Sequence, residues 1–181
     1  LTYDLANMDP NADHDLRPLG GPGSFFRRMR VLCNGQIIED IDSYNRVEAM
    51  FENLTALDAN KNVDAEGFGK KWNRTNHQVV AYTPDTFRGI AGGQSQTVLF
   101  KPLSGLLNQN KFLPLRYAPL TIELEIVSTL FEPILSAFVA GNEFTAGNTS
   151  VAWQIQNVQV KVDLCTLDNA LDNSYAEHLL S

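Results

Sequence analysis

The residues of this chain that could do chemistry are its three histidines, its two cysteines and a few closely spaced carboxylates. His14 stands among Asp9, Asn11, Asp13 and Asp15, and Asp9-x-Asn11-x-Asp13 opens like a calcium loop. Such a loop needs glycine at its sixth position and a bidentate Glu at its twelfth, where this chain has His14 and Gly20. A flexible acidic arm is therefore expected rather than a calcium site. His77 and His178 fall in other segments, and neither Cys33 nor Cys165 belongs to a CxxC pair, so the spacing offers no zinc set. Glu123 and Glu125 lie two apart on one strand face, as glycosidase carboxylates can. A working acid and nucleophile, however, need surroundings that drive their pKa values apart, and the expectation here is a solvated face.

Nucleophile motifs give as little. Ser24, Ser43, Ser95, Ser104 and Ser128 never sit in G-x-S-x-G, and Gly92-Gly93 lacks the Lys-Ser or Lys-Thr of a phosphate loop. The glycosylation tripeptide occurs at Asn53, Asn73 and Asn148, but it recurs by chance, and no charged-then-apolar leader opens the chain to favour its use. Trp72 and Trp153 could line a sugar site; on an alternating strand, Trp153 is expected in the core. The expectation is a protein with no catalytic residue, no cofactor site and no metal site, and hence no enzyme.

Composition points the same way. Of 181 residues, 44% are hydrophobic and 19% charged, enough apolar side chain for one buried core and too much for a disordered chain. The formal net charge of -7 repels phosphate backbones and anionic surfaces at long range. Arg27, Arg28 and Arg30, and Lys70, Lys71 and Arg74, are local exceptions that read as solvated faces, so no sequence-specific nucleic-acid binding is expected. No stretch reaches the roughly 20 apolar residues of a membrane span. The two cysteines read as small buried hydrophobes, with their pairing left open. Because the chain starts at Leu1 and stops at Ser181 right after an apolar helical pattern, it is expected to be a piece of a longer polypeptide.

The elements that would position these residues are mostly strands. Leu1 to Ser24, rich in Asp, Asn, Pro and Gly, is expected to be an arm or loop. Phe25 to Cys33 reads as a strand with Met29, Val31 and Cys33 on one face. Asn34-Gly35 then forms a hairpin turn, because both central positions of a type I′ turn need positive φ. From Asp42 or Ser43 the period becomes helical, with Val47, Met50, Phe51 and Leu54 on one stripe expected to pack on the sheet edge. Asp58 to Lys71 reads as a loop, Gln78 to Tyr82 and Thr97 to Lys101 as strands, and Gly89 to Gly93 as a flexible loop.

The clearest strand is Leu120 to Ile126, apolar at even and polar at odd positions, the mark of an antiparallel sheet wet on one side. Val151 to Leu164 is expected as a second long strand. Its apolar set moves from odd (Val151, Trp153, Ile155) to even positions (Val158, Val160, Val162, Leu164), so a β-bulge is expected at Gln156-Asn157. Leu171, Tyr175 and Leu179 share one face of a helix over Asp168 to Leu180, with Asp168, Asn169, Asp172 or Ser174 as possible caps. The fold class expected is all-β, an antiparallel jelly-roll β-sandwich with one or two short helices, divided as 1–24 arm, 25–166 sandwich and 167–181 helix.

Three stretches carry a resemblance. Phe26 to Asp40, with its Asn-Gly hairpin running into Tyr44-Asn45-Arg46 and a helix, resembles the start of the first jelly roll in double-jelly-roll major capsid proteins of polinton-like viruses, virophages and large nucleocytoplasmic DNA viruses. Phe112 to Tyr117 followed by Leu120 to Ile126 is similar to that family's central strand, and Val158 to Leu164 with Tyr175 to Leu180 to its last strand and the helix leading toward a second jelly roll. The family has two jelly rolls and this chain has room for one. The resemblance implies a structural protein of the virion. It would form homotrimeric, pseudo-hexagonal capsomers that meet neighbouring capsomers, penton and minor capsid proteins in an icosahedral shell around double-stranded DNA, with no small-molecule substrate. Contact regions expected from loop length and polarity are Leu1 to Ser24, Asp58 to Arg74 and Pro84 to Gln96. The competing readings are a carbohydrate-binding β-sandwich module, marked by exposed aromatics, and a jelly-roll enzyme, for which the residues offer neither a metal triad nor a separated carboxylate pair.

Overall fold

The computed structural model describes residues 1–54, 68, 72–73, 78–79, 89–135 and 147–180, and, of these, not the side chains of 52, 53, 72, 73, 78, 79, 179 and 180. It is mostly β, with two antiparallel three-stranded sheets and two short helices. In chain order the elements are β1 (Thr2–Asn7), a 3-10 turn (Pro22–Phe25), β2 (Phe26–Cys33), β3 (Gln36–Asp42), α1 (Tyr44–Leu54), β4 (Trp72–Asn73), β5 (Gln78–Val79), β6 (Ser95–Leu99), β7 (Leu120–Ile126), β8 (Trp153–Gln159) and α2 (Asn169–Leu180). One sheet has the order β6-β1-β8 and the other β3-β2-β7, while β4 and β5 pair as a short ribbon.

The β2–β3 hairpin forms as its turn residues dictate. Asn34 and Gly35 take φ of +49° and +80°, the left-handed pair that lets two residues reverse the chain without splaying the strands. Within the sheet, Met29 faces Leu124, Val31 faces Ile122 and Cys33 faces Leu120, while Arg30 faces Glu123 and Arg28 faces Glu125. The alternation of β7 is thus matched pair by pair on β2, apolar inward and charged outward.

The opening segment corrects an expectation. Within Leu1 to Ser24, expected to be an arm or loop, residues 8–21 are loop but Thr2–Asn7 is not: β1 is the central strand of its sheet, antiparallel to β6 from Thr2↔Leu99 to Ala6↔Ser95 and to β8 from Thr2↔Gln159 to Asn7↔Trp153. Tyr3 and Leu5 are fully buried. The Tyr3 ring meets Phe26 at 5.6 Å, Phe100 at 6.2 Å and Phe25 at 6.4 Å, all edge to face, and its hydroxyl donates to the Pro22 carbonyl at 2.6 Å. Phe25 in turn meets Trp153 at 5.0 Å, so Trp153 packs on the core as expected. Side chains of both sheets join in this one aromatic core.

The bulge is where the phase shift put it. Between Thr2 and Asp4 of β1 lie two steps, and between their partners Gln159 and Gln156 lie three, which leaves one extra residue in β8. Asn157 takes a φ of +51°, and its amide donates to Asp4 Oδ2 at 2.6 Å. Two other periodicity readings hold only in part: the strand expected from Val151 to Leu164 spans Trp153–Gln159 alone, and neither it nor the first helix buries the whole stripe expected of it. β8 ends at Gln159, and Val158, Val160, Val162 and Leu164 stand more than half exposed instead of continuing a buried strand. In α1 the stripe of Met50, Phe51 and Leu54 is exposed as well; the helix is anchored through buried Tyr44, whose hydroxyl accepts the Leu103 N–H at 2.9 Å, and through Glu48, whose carboxyl lies over Gly23. Docking by the Tyr44–Glu48 side turns the apolar stripe toward solvent.

α2 starts at the first of its possible caps: Asp168 Oδ1 accepts the Leu171 N–H at 2.8 Å. Neither cysteine is bonded, and Cys165 is exposed rather than buried, since it follows the end of β8. The readings of 55–67, 69–71, 74–77 and 80–88, which take in Lys70, Lys71, Arg74, His77 and most of the two later loops expected as contacts, lie outside the described residues, as do the side chains of Asn53, Trp72 and Asn73.

Candidate interaction surface

The polar residues of the opening segment are committed to holding loops together. Asn7, fully buried at the end of β1, donates through Nδ2 to the carbonyls of His14 and Ile90, both at 2.8 Å, and accepts at Oδ1 from the Asp9 N–H at 3.1 Å and the Ser150 hydroxyl at 2.7 Å. All four hydrogen-bonding positions of its amide are used. Asp9 Oδ1 accepts the Asn11 N–H at 2.9 Å, Asn11 Oδ1 accepts the Asp13 N–H at 3.1 Å, and Asp9 Oδ2 lies 2.9 Å from His14 Nδ1. The Asn11 N–H, with His14 beside it, holds the Asp9 carboxyl below the usual carboxylate range. The would-be calcium ligands therefore cap successive turns.

Among the described residues Arg17 is the largest fully buried side chain, donating to the Asn148 carbonyl at 2.7 Å and to Asp15 Oδ2 at 2.6 Å. Burial lowers its pKa, with Asp15 opposing. Leu16 and Ile90 exchange two backbone hydrogen bonds of 2.8 Å, and Gly92 packs so close to Asn11 that a Cβ would sit 2.0 Å from its carbonyl oxygen. The Gly89 to Gly93 loop, expected to be flexible, is pinned here. Sequence reading missed Asn7, Arg17 and Ser150. Their only local signal is ordinary polarity, and their roles come from partners more than 70 residues away, such as Ile90, Asn148 and Asn7 itself.

On the outer face of β3-β2-β7 the carboxylates meet arginines. Glu123 pairs with Arg30 at 2.8 Å, Glu125 with Arg27 at 3.5 Å, and Asp40 takes two bonds from Arg28 at 2.7 and 2.5 Å. Arg28 holds Asp40 low, and Asp40 raises Arg28. Glu123 and Glu125 occupy alike, half-exposed, arginine-paired positions. An open depression beside this sheet is lined by Glu39, Ile41, Leu103, Ser104 and Asn108. Asp40 lines it too, and both carboxylates are engaged: Asp40 by Arg28, while Glu39 accepts the Ser104 hydroxyl at 2.5 Å and the Leu106 N–H at 2.7 Å. Among the described residues no three His, Cys, Asp or Glu side chains converge as a metal set.

What remains unassigned is apolar surface. From the end of β8 into α2, Val158, Val160, Val162, Leu164, Leu167 and Leu171 are all exposed, Leu164 at 77%. Phe112, at 83%, and Leu115 are exposed in the segment before β7. That segment is tied to α2 by an Arg116–Asp172 ion pair, a bond from the Tyr117 hydroxyl to Asp172 Oδ1 at 3.2 Å, and a Tyr117–Tyr175 ring contact at 5.6 Å. Lone exposed apolar residues are ordinary, but a run of this length is the signature of a surface that is covered by something. No helix among the described residues is long and apolar enough to cross a membrane.

No family model, no curated protein and no solved structure matches this chain.

Proposed function

We propose that this chain is a structural, self-associating β-sandwich, a jelly roll of a viral major capsid protein that builds trimeric capsomers of an icosahedral shell. The observation that carries the reading is the exposed apolar run from Val158 to Leu171, next to a core that is already closed by its own aromatics. The apolar cost of leaving that run in water, about 25 cal/mol per Å² of surface, is removed when another subunit covers it. Two three-stranded sheets on one aromatic core supply a wall, and the arginine-paired carboxylates of the outer face suit a surface that stays wet. The resemblance of the Asn-Gly hairpin, the Leu120–Ile126 strand and the closing helix to the capsid family supports the same reading. Contact through an opening arm is withdrawn, because Thr2–Asn7 is a central strand.

Negative-stain electron microscopy of the expressed protein tests this: trimers or closed shells are expected, and particles of single-subunit size at every concentration would overturn it. Among the described residues, a carbohydrate-binding module draws its specific support from exposed Phe112 and the Tyr117–Tyr175 pair. Glycan-array binding lost on Tyr117→Ala would favour it.

A further inference from the structure

We propose that Asn34 is a site of spontaneous covalent modification, converting to aspartate and isoaspartate within the folded hairpin. Asn34-Gly35 is the chain's one Asn-Gly pair. Both residues are exposed, and nothing beyond the neighbouring residues lies within 4 Å of where a Gly35 Cβ would stand, so the glycine side of the turn is open to water. Glycine also offers the least steric resistance to attack by its own nitrogen.

The reaction balances without any external oxidant or reductant. The Gly35 backbone nitrogen, losing its proton, attacks Asn34 Cγ. A C–N bond forms, the Cγ–Nδ2 bond breaks and ammonia leaves, which gives a five-membered succinimide. Water then adds to one of the two ring carbonyls. Opening at one regenerates a normal aspartyl peptide, and opening at the other routes the backbone through the side-chain carbon as isoaspartate.

Geometry sets the rate. With both φ values positive, the turn is type I′, in which Asn34 Cβ and the Gly35 nitrogen point away from each other about the Cα–C bond. Ring closure needs them nearly eclipsed, the backbone of a type II′ turn at its first central residue. The two turn types differ by a flip of the single peptide plane between Asn34 and Gly35, and both join two strands through two residues. The hairpin does not have to open; one plane has to turn over. Holding a non-glycine residue in the flipped state slows conversion roughly 10- to 100-fold relative to a flexible peptide.

The two products differ in consequence. Aspartate keeps the turn, since Asp-Gly suits type I′ as Asn-Gly does, whereas isoaspartate lengthens the backbone of a two-residue turn that sets the pairing of Cys33 with Gln36. Peptide mapping by mass spectrometry after native incubation in mildly alkaline buffer tests the proposal, with a synthetic Leu32–Ile38 peptide in the same tube as the reference. The expected result is conversion at Asn34, isoaspartate included, roughly 10- to 100-fold slower than in the peptide and insensitive to urea below the unfolding transition. An unmodified Asn34 while the peptide converts fully, conversion as fast as the peptide's, or a rate that rises with global unfolding would each overturn it.

Discussion

The Ser150 hydroxyl donates to the Asn7 side-chain oxygen at 2.7 Å, joining residues 143 apart in sequence. The same Ser150 oxygen accepts the Ala152 N–H at 3.1 Å just before β8, and the Asn7 amide holds the carbonyls of His14 and Ile90. One buried side chain therefore fixes three loops at one end of the β6-β1-β8 sheet.

Replacing Asn7 by Ala removes both donors and the acceptor: the His14 carbonyl, the Asp9 N–H and the Ser150 hydroxyl each lose their Asn7 bond, while the Ile90 carbonyl keeps the Leu16 N–H. A loss of about 2–4 kcal/mol is expected, against about 1 kcal/mol for Ser150→Ala. Urea unfolding of the single and double variants checks this. The double variant should lose less than the sum, because the two side chains share a bond.

The bulge makes a sharper test of backbone than of contact. Asn157→Gly should be within about 0.5 kcal/mol of the parent, since glycine accepts the positive φ but gives up the bond to Asp4. Asn157→Val, whose branched side chain resists that φ, should cost about 1–2 kcal/mol. Thermal unfolding of both separates the two terms.

How much could be read in advance follows from this contrast. The Asn34-Gly35 hairpin, the β7 alternation, the Asp168 helix start and the bulge at Gln156-Asn157 were legible because each is marked by a local run of neighbouring residues. β1 was not, although Tyr3 and Leu5 alternate with Thr2 and Asp4, because its pairing partners lie beyond residue 94 and its flank is rich in turn formers. Periodicity placed Val158 to Leu164 and Met50 to Leu54 on common faces, but a common face does not say what covers it. The buried polar knot of Asn7 and Arg17 had no local mark at all.

Acid should loosen the fold through carboxylates held low in the folded state. The Thr97 hydroxyl and then the Asn157 amide hold Asp4 below the usual range, the Asn11 N–H and then His14 hold Asp9, and Arg28 holds Asp40. Because each folded pKa lies below the unfolded value of about 3.9, their stabilisation is present above about pH 4 and is lost as pH falls through the folded values. Urea midpoints measured against pH should decline in that acid range, and Asp4→Asn should make the decline shallower.

Gly35→Val should destabilise the β2–β3 hairpin by about 1–2 kcal/mol, since a branched residue resists a φ of +80°. Gly35→Asn, whose side chain tolerates that region, should cost less. Equilibrium unfolding by tryptophan fluorescence ranks the two.

Sedimentation velocity over a concentration series, comparing the parent with a Val160→Asp, Val162→Asp double variant, addresses self-association most directly. Both positions are exposed and outside the core, so the variant should fold as the parent does. The parent is expected to shift from monomer to trimer as concentration rises, and the variant to stay monomeric with an unchanged unfolding midpoint. A parent that remains monomeric throughout, or a variant that assembles as the parent does, would contradict it.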